Sequence, residues 1–203
     1  LLYMDNALNS YVIILQARTN SRRLPKKVLA DVGGNKTLIE FLISRLTLCS
    51  LVDEIVVATT DHISDDKLAS IVKSNGIKVV RGSEENVLNR FCLAAKEVPS
   101  KNYIRITGDC PLIDPKLIDR TITFFENANF DYVSNSYPPT FPDGMDVEIF
   151  NREVLFEADL LSRNKFEREH VTPWIRNNND LKKGCLKNNN DLSDSRWTVD
   201  EKE

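Results

Sequence analysis

No stretch of this 203-residue sequence is apolar over the roughly twenty residues that a membrane-spanning helix needs, which excludes a helical membrane protein. Histidine is scarce: His62 and His170 are too few to expect a histidine-based zinc site. Cysteine is confined to Cys49, Cys92, Cys110 and Cys185, with no C-x-x-C pair, a spread that fits reduced thiols in a cytoplasm. A positive excess is also missing. The net charge is −3, whereas a general nucleic-acid binder carries a domain-wide surplus of cations to displace phosphate counterions. The familiar phosphate loops are absent, since neither G-x-x-x-x-G-K-[ST] nor G-x-G-x-x-G follows any strand-like run. The opening LLYMDNALNS lacks the basic-then-apolar order of a secretory signal.

What is present is the balance of an ordinary globular protein, 41% hydrophobic and 28% charged, long enough to bury a full core in one compact domain. Apolar, β-branched runs predict strands at Tyr11–Leu15, Glu54–Thr60, Ile77–Val80 and Asn102–Thr107, with two more from Asp131 and Asp146 and a short last one at "RWTV". Between them lie amphipathic helices. Thr37 with Glu40 three residues on is a capping box; a second helix runs from near Ser64 to the Asn75-Gly76 stop, and a third from about Glu85 to Lys96. Asp114 followed by Pro115 opens a fourth. Alternating strands and helices predict an α/β fold, a three-layer α/β/α sandwich around a mostly parallel sheet.

One segment stands out against this even background. "LQARTNSRRLPKKVL", Leu15 to Leu29, leaves the carboxyl end of the first strand with Arg18, Arg22, Arg23, Lys26 and Lys27 close together. Open α/β sheets bind ligands at that edge, and arginine forks with lysine point charges suit phosphate oxygens. An isolated run of charge would otherwise be a solvated loop.

The segment resembles the signature of the cytidylyltransferases that activate acidic sugars, the CMP-sialate and CMP-Kdo synthetase group, through Ala17, Arg18, Ser21, Arg22, Arg23, Leu24, Pro25, Lys27 and Leu29. Over most of its length the chain is more similar to the SpsF branch, named for spore-coat polysaccharide biosynthesis proteins. "VVRGSEENVLNRF", "RITGDCPLIDP", "SNSYPPTFPDGMDVEIF", "REHVTPWIR" and "WTVDEKE" follow that branch's order. Sialate-type synthetases commonly place glycines where this chain has Thr19 and Asn20. The resemblance implies a nucleotide-diphospho-sugar transferase (GT-A-like) fold, continuing for about one helix beyond Glu203, with residues 136–180 as a possible sugar-binding or dimerisation arm. It also implies a homodimer joined through Arg163 to Arg176.

The implied reaction is attack of a sugar hydroxyl on the α-phosphate of CTP, with release of pyrophosphate, in surface polysaccharide or glycan synthesis. Arg18, Arg22 and Lys27 would surround the phosphates, Ala17 and Ser21 would complete the loop, and Arg22, Lys27 and Asp109 would be catalytic. Arg23 would brace the loop or stay solvated, as would Lys26, which has no match in the motif. A triphosphate calls for Mg²⁺ held by one or two carboxylates, here Asp109 after the fourth strand and Asp200 after the last. Arg81 and Ser83 either contact the nucleotide or, for Ser83, cap the next helix. Asn135, Asp143, Asp146, Glu148 and His170 would meet the sugar, with His170 either a general base or a structural histidine. Two rivals stay open: a glycosyltransferase of the same fold, although no Asp-x-Asp follows the fourth strand, and a nucleotide-binding module without turnover.

Overall fold

Tyr11 to Leu15 are buried on both faces, as a strand flanked by neighbours and covered by helices on either side must be. The computed structural model describes residues 9–21 and 23–201. Among them the strands are β1 (Asn9–Gln16), β2 (Glu54–Thr60), β3 (Lys78–Gly82), β4 (Ser100–Thr107), β5 (Tyr132–Ser134), β6 (Glu148–Asn151) and β7 (Lys183–Cys185). They form one sheet in the order β3-β2-β1-β4-β6-β5-β7, in which β6 alone runs against its neighbours.

The helices are α1 (Leu38–Leu46), α2 (Asp66–Ser74), α3 (Val87–Glu97), α4 (Pro115–Asn127), α5 (Arg152–Leu161), α6 (Lys165–His170) and α7 (Pro173–Asn177). The alternation along β1 sends Tyr11, Ile13 and Leu15 into one apolar cluster with α1, α2 and α4, and Val12 and Ile14 into another with α3, α5 and α7. The result is the three-layer sandwich. Within the segment expected as an arm, Val154, Leu155, Ala158, Val171 and Ile175 are buried in the second cluster.

Local chemistry sets the helix ends. The Glu40 carboxylate accepts from the Thr37 N–H at 2.9 Å, closing the box at the start of α1. Asp114 accepts from the Lys116 N–H at 3.0 Å ahead of Pro115. Gly76, at φ +74°, turns the chain out of α2 in the left-handed conformation that glycine tolerates.

Two expectations need correcting. "RWTV" forms no strand: Arg196 makes only an isolated bridge to Asp143, and the segment crosses the carboxyl edge as a strap. β7 lies instead at Lys183–Cys185, too short to show a period. Ser83 is not the cap of α3 either; Asn86 is, accepting from the Asn89 N–H at 3.1 Å.

Chain order sends β1, β2 and β3 outward in one direction, and α3 then crosses back to place β4 on the other side of β1. The reversal opens a crevice between the carboxyl ends of β1 and β4, the usual ligand position in such sheets.

Candidate active site

The crevice is a cleft of about 430 Å³ lined by Gln16, Ala17, Arg18, Ser21, Arg23 and Lys27 from the first strand and its loop, Arg105, Thr107, Gly108 and Asp109 from the fourth, and Glu169 and His170 from α6. Gly108 lets the two strand ends meet: its N–H donates to the Gln16 carbonyl at 2.8 Å, and a Cβ there would stand 3.1 Å from that of Ala17.

The basic loop folds so that one lysine turns in and its neighbour out. Lys26 takes a left-handed backbone (φ 60°) and is exposed; a 3-10 turn over Lys27–Leu29 follows. Lys27 is only 9% exposed and its Nζ lies 3.0 Å from Asp109 Oδ2. Burial pushes the Asp109 carboxyl up, but the Thr107 hydroxyl and Lys27 outweigh it and hold the group below the ordinary aspartate range. The Cys110 thiol lies 3.7 Å from Asp109 Oδ1.

Arg18 reaches Glu84 at 3.1 Å. Arg23 braces the loop against the strap, pairing with Asp200 at 2.6 Å and Glu201 at 3.1 Å. Arg22 lies outside the described residues.

Asp200 does come to this edge, since the Val199 N–H donates to the Asp109 carbonyl at 2.9 Å. Its carboxylate is buried and occupied: Arg23 and Arg196 both meet Oδ2 at 2.6 Å, and the Thr198 hydroxyl donates to Oδ1 at 3.1 Å. Arg81 is turned away from the cleft. Its guanidinium donates to the Thr60 and His62 carbonyls, each at 2.8 Å, and meets Asp66 at 2.6 Å, which ties β3 to the entry of α2. Ser83 accepts from the Asn86 N–H at 3.2 Å, and its carbonyl accepts from the buried Arg90 at 3.1 Å.

On the β6 side the expected sugar contacts are engaged with other groups of the protein. Asn135 donates to the Met145 carbonyl at 2.7 Å and accepts from the Val147 N–H at 2.8 Å, which uses both ends of its amide. Glu148 is paired with Arg105 through one oxygen and accepts from Tyr132 at 2.6 Å and Thr172 at 2.7 Å through the other. Burial would raise its pKa, but Arg105 first and then the two hydroxyls hold it low. Asp143 is half exposed, 3.4 Å from Arg196. Asp146 accepts from Ser136 Oγ at 2.7 Å. Burial pushes its carboxyl up and, despite that bond, Asp143 and Glu148 push the same way, so it sits above the ordinary range. His170 is exposed at the cleft with its ring 4.5 Å from that of Phe166.

Arg105 was missed by the sequence reading. Its guanidinium lines the cleft, held by Glu148 and, at 3.3 Å, by Gln16. The signal was available: a charge amid the apolar strand "YIRIT" is seldom placed there without a partner. Asp65, which accepts from the Thr19 N–H and hydroxyl at the start of the basic loop, carries no such signal.

The chain also matches known proteins. A family model described as cytidylyltransferase covers residues 12–202. The chain belongs to the cytidylyltransferase family. It is 36% identical to the spore coat polysaccharide biosynthesis protein SpsF of Bacillus subtilis, over 84% of this chain and 71% of that protein. It is 33% identical to a 3-deoxy-manno-octulosonate cytidylyltransferase of Geobacter sulfurreducens, over 54% of this chain and 42% of that one. A solved cytidylyltransferase from Leptospira borgpetersenii superposes on 95% of this chain and 82% of its own at a TM-score of 0.89, with 36% identity. The family is one of nucleotidyltransferases, and its fold is the one described above.

Proposed function

We propose that the protein transfers CMP from CTP to a hydroxyl of an acidic sugar, releasing pyrophosphate, in the synthesis of a surface polysaccharide or glycan. The observation that carries the reading is the Lys27–Asp109 pair at the head of a cleft that also receives Arg18, Arg23 and Arg105. Three roles follow. The sugar oxygen bonds to the α-phosphorus as the bond to the bridging oxygen of the β-phosphate breaks, and the chain's cations offset the charge that pyrophosphate carries away. Lys27, Arg18 and Arg22 take the phosphates, with Ala17 and Ser21 supplying loop backbone. An acidic sugar brings a carboxylate of its own; Arg105 offers it a cation and the exposed His170 an imidazole ring, and Asp146 is a carboxyl on the β6 side that has no ion pair among the described residues.

Mg²⁺ fits the donors present. Among the described residues no three histidine, cysteine or carboxylate groups converge on one point, so the ion would rest on Asp109 and phosphate oxygens; Asp200, the second carboxylate at that edge, would have to exchange Arg23 or Arg196 for it. When bound it would neutralise the phosphates and orient the leaving group. Similarity to the Geobacter enzyme supports the acidic sugar, and similarity to SpsF supports the polysaccharide role. Leu160, 78% exposed just before the segment proposed to join two copies, and Phe166, 58% exposed within it, support a homodimer. The thiols are free and no helix among the described residues is long and apolar enough to cross a membrane, in keeping with a proposed cytoplasmic setting.

Pyrophosphate release is the direct test. With Mg²⁺, release is expected from CTP in the presence of a 2-keto-3-deoxy sugar acid and not with a neutral hexose. Release with the neutral sugar alone would overturn the acidic-sugar assignment, and a preference for ATP or GTP would overturn the cytidylyl one.

A further inference from the structure

We propose that Asp65 is a positioning residue for the triphosphate, acting through the backbone of the basic loop; the inference rests on the phosphate role given to that loop above. Asp65 follows β2, on the far side of β1 from the Lys27–Asp109 pair, and is completely buried. A buried carboxylate is costly unless its lone pairs are filled, and here they are filled from two directions. Oδ1 accepts from the Thr19 N–H at 2.8 Å and from the Thr19 hydroxyl at 2.5 Å. Oδ2 accepts from the Thr59 hydroxyl at 2.9 Å, from the Thr60 N–H at 3.1 Å and from the Thr60 hydroxyl. One carboxylate therefore fastens the loop to the tip of β2.

The residue it fastens is the hinge of the loop. The Thr19 carbonyl accepts from the Ser21 N–H at 2.9 Å and from the Lys26 N–H at 2.8 Å, so the segment that carries the cations leaves and returns at one peptide group. Lys27 begins the turn immediately after that return and reaches Asp109. A shift at Thr19 moves the ends of the loop together.

Hydrogen-bond chemistry makes the carboxylate hard to replace. Every group aimed at Asp65 is a donor, and an acid in its ionised form is the side chain that only accepts. Burial pushes this carboxyl up, yet the bonds from Thr19, Thr60 and Thr59 hold it below the ordinary range, so it stays ionised. In Asp65→Asn an amide NH₂ must face either the Thr19 pair or the β2 donors. One side of the fastening opens in either rotamer.

The test compares CTP with CMP, each with Mg²⁺, by titration calorimetry well below the melting temperature. In the parent, the β- and γ-phosphates should tighten binding by about tenfold or more, the scale of one or two charge-assisted contacts. Asp65→Asn should bring that gap to about threefold or less while changing CMP affinity far less. A residue that merely stabilised the fold would leave the ratio alone. Should that variant fail to fold, Thr19→Val removes one loop-side donor and is expected to narrow the gap about threefold, while Thr19→Ser, which keeps the hydroxyl, restores most of it. A parental gap that survives in Asp65→Asn, or in Thr19→Val where the first does not fold, overturns the role of Asp65. A parent that shows no gap overturns the phosphate role of the loop itself, and this inference with it.

Discussion

On the β1 side of the cleft, Lys27 and Arg18 each hold one ion-pair partner, and Asp109, bonded to Lys27 and Thr107, keeps 30% of its side chain exposed; on the β6 side, Asn135 and Glu148 are buried with every polar atom committed to the protein. Both sets come from segments that resemble the same family, yet they differ in what their residues are free to do. A side chain with spare hydrogen-bonding capacity at a cleft can exchange a protein partner for a ligand. One that is saturated and buried holds the backbone around the cleft in shape. Substitutions on the β1 side should therefore cost activity, and those at Asn135 and Glu148 should cost stability.

Glu148 offers the largest effect. Glu148→Ala leaves the Arg105 guanidinium without its anion and strips acceptors from Tyr132 and Thr172, and breaking a buried pair in this way costs about 3 to 5 kcal/mol. For a chain of this size the melting temperature should fall by roughly 10 °C or more. Its pH dependence has a definite sign. Because the folded carboxyl lies below its ordinary value, its contribution is complete above the unfolded pKa and is lost as pH falls through the folded one, so parent and variant should converge in acid. A melting temperature unchanged at pH 7 would break the comparison at its firmest point.

Asp109→Asn should do the reverse: about a hundredfold or greater loss of kcat/KM, with the melting temperature within a few degrees of the parent. The carboxylate is partly exposed and its amide analogue still accepts from Lys27, so the fold keeps most of its contact while the charge is gone. Lys27→Ala is expected to cost roughly tenfold or more in kcat/KM, and Lys26→Ala, on an exposed side chain that faces away, less than about twofold. Equal losses at 26 and 27 would mean that the loop acts as a diffuse patch of charge.

The same division explains what could be read from the sequence. The β1 side was legible because its elements are local: an apolar run makes β1, a dense basic stretch follows it, and Asp109 sits just past β4. The capping box at Thr37 and the Asp114-Pro115 start of α4 were visible for the same reason. The β6 side was not legible. Whether Asn135 points at a sugar or at the Met145 carbonyl depends on where a loop ten residues further on returns, and no spacing rule fixes that. Arg81 misled in a related way, because it lies within β3 near the carboxyl end of the strand while its donors are spent on the Thr60 and His62 carbonyls. Asp65 is 46 residues from Thr19, and only the adjacency of β1 and β2 brings them together.

Asp146 cuts across the comparison and gives the smallest but sharpest prediction. It lies on the β6 side, yet among the described residues it has no ion-pair partner and one close hydrogen bond, from Ser136, and Asp143 and Glu148 add negative charge around it. Its folded pKa is raised, the opposite of Glu148, so in its ionised form it opposes folding. That cost is present above the folded pKa and is relieved as pH falls toward the unfolded value. Asp146→Asn keeps an oxygen to accept from Ser136 and removes the charge, so it should raise the melting temperature near neutral pH by about 2 to 4 °C, the response to roughly 1 kcal/mol in a chain of this length. The gain should shrink as pH falls through the raised folded pKa, where the parent also becomes neutral. If Asp146 meets the sugar, the same variant should lower turnover while it stabilises, as expected where a functional carboxylate is kept at the expense of the fold. A variant that gains stability and keeps full turnover would place Asp146 with Asn135 and Glu148 among the residues that shape the cleft, and would leave His170 and Arg105 to make the sugar contacts.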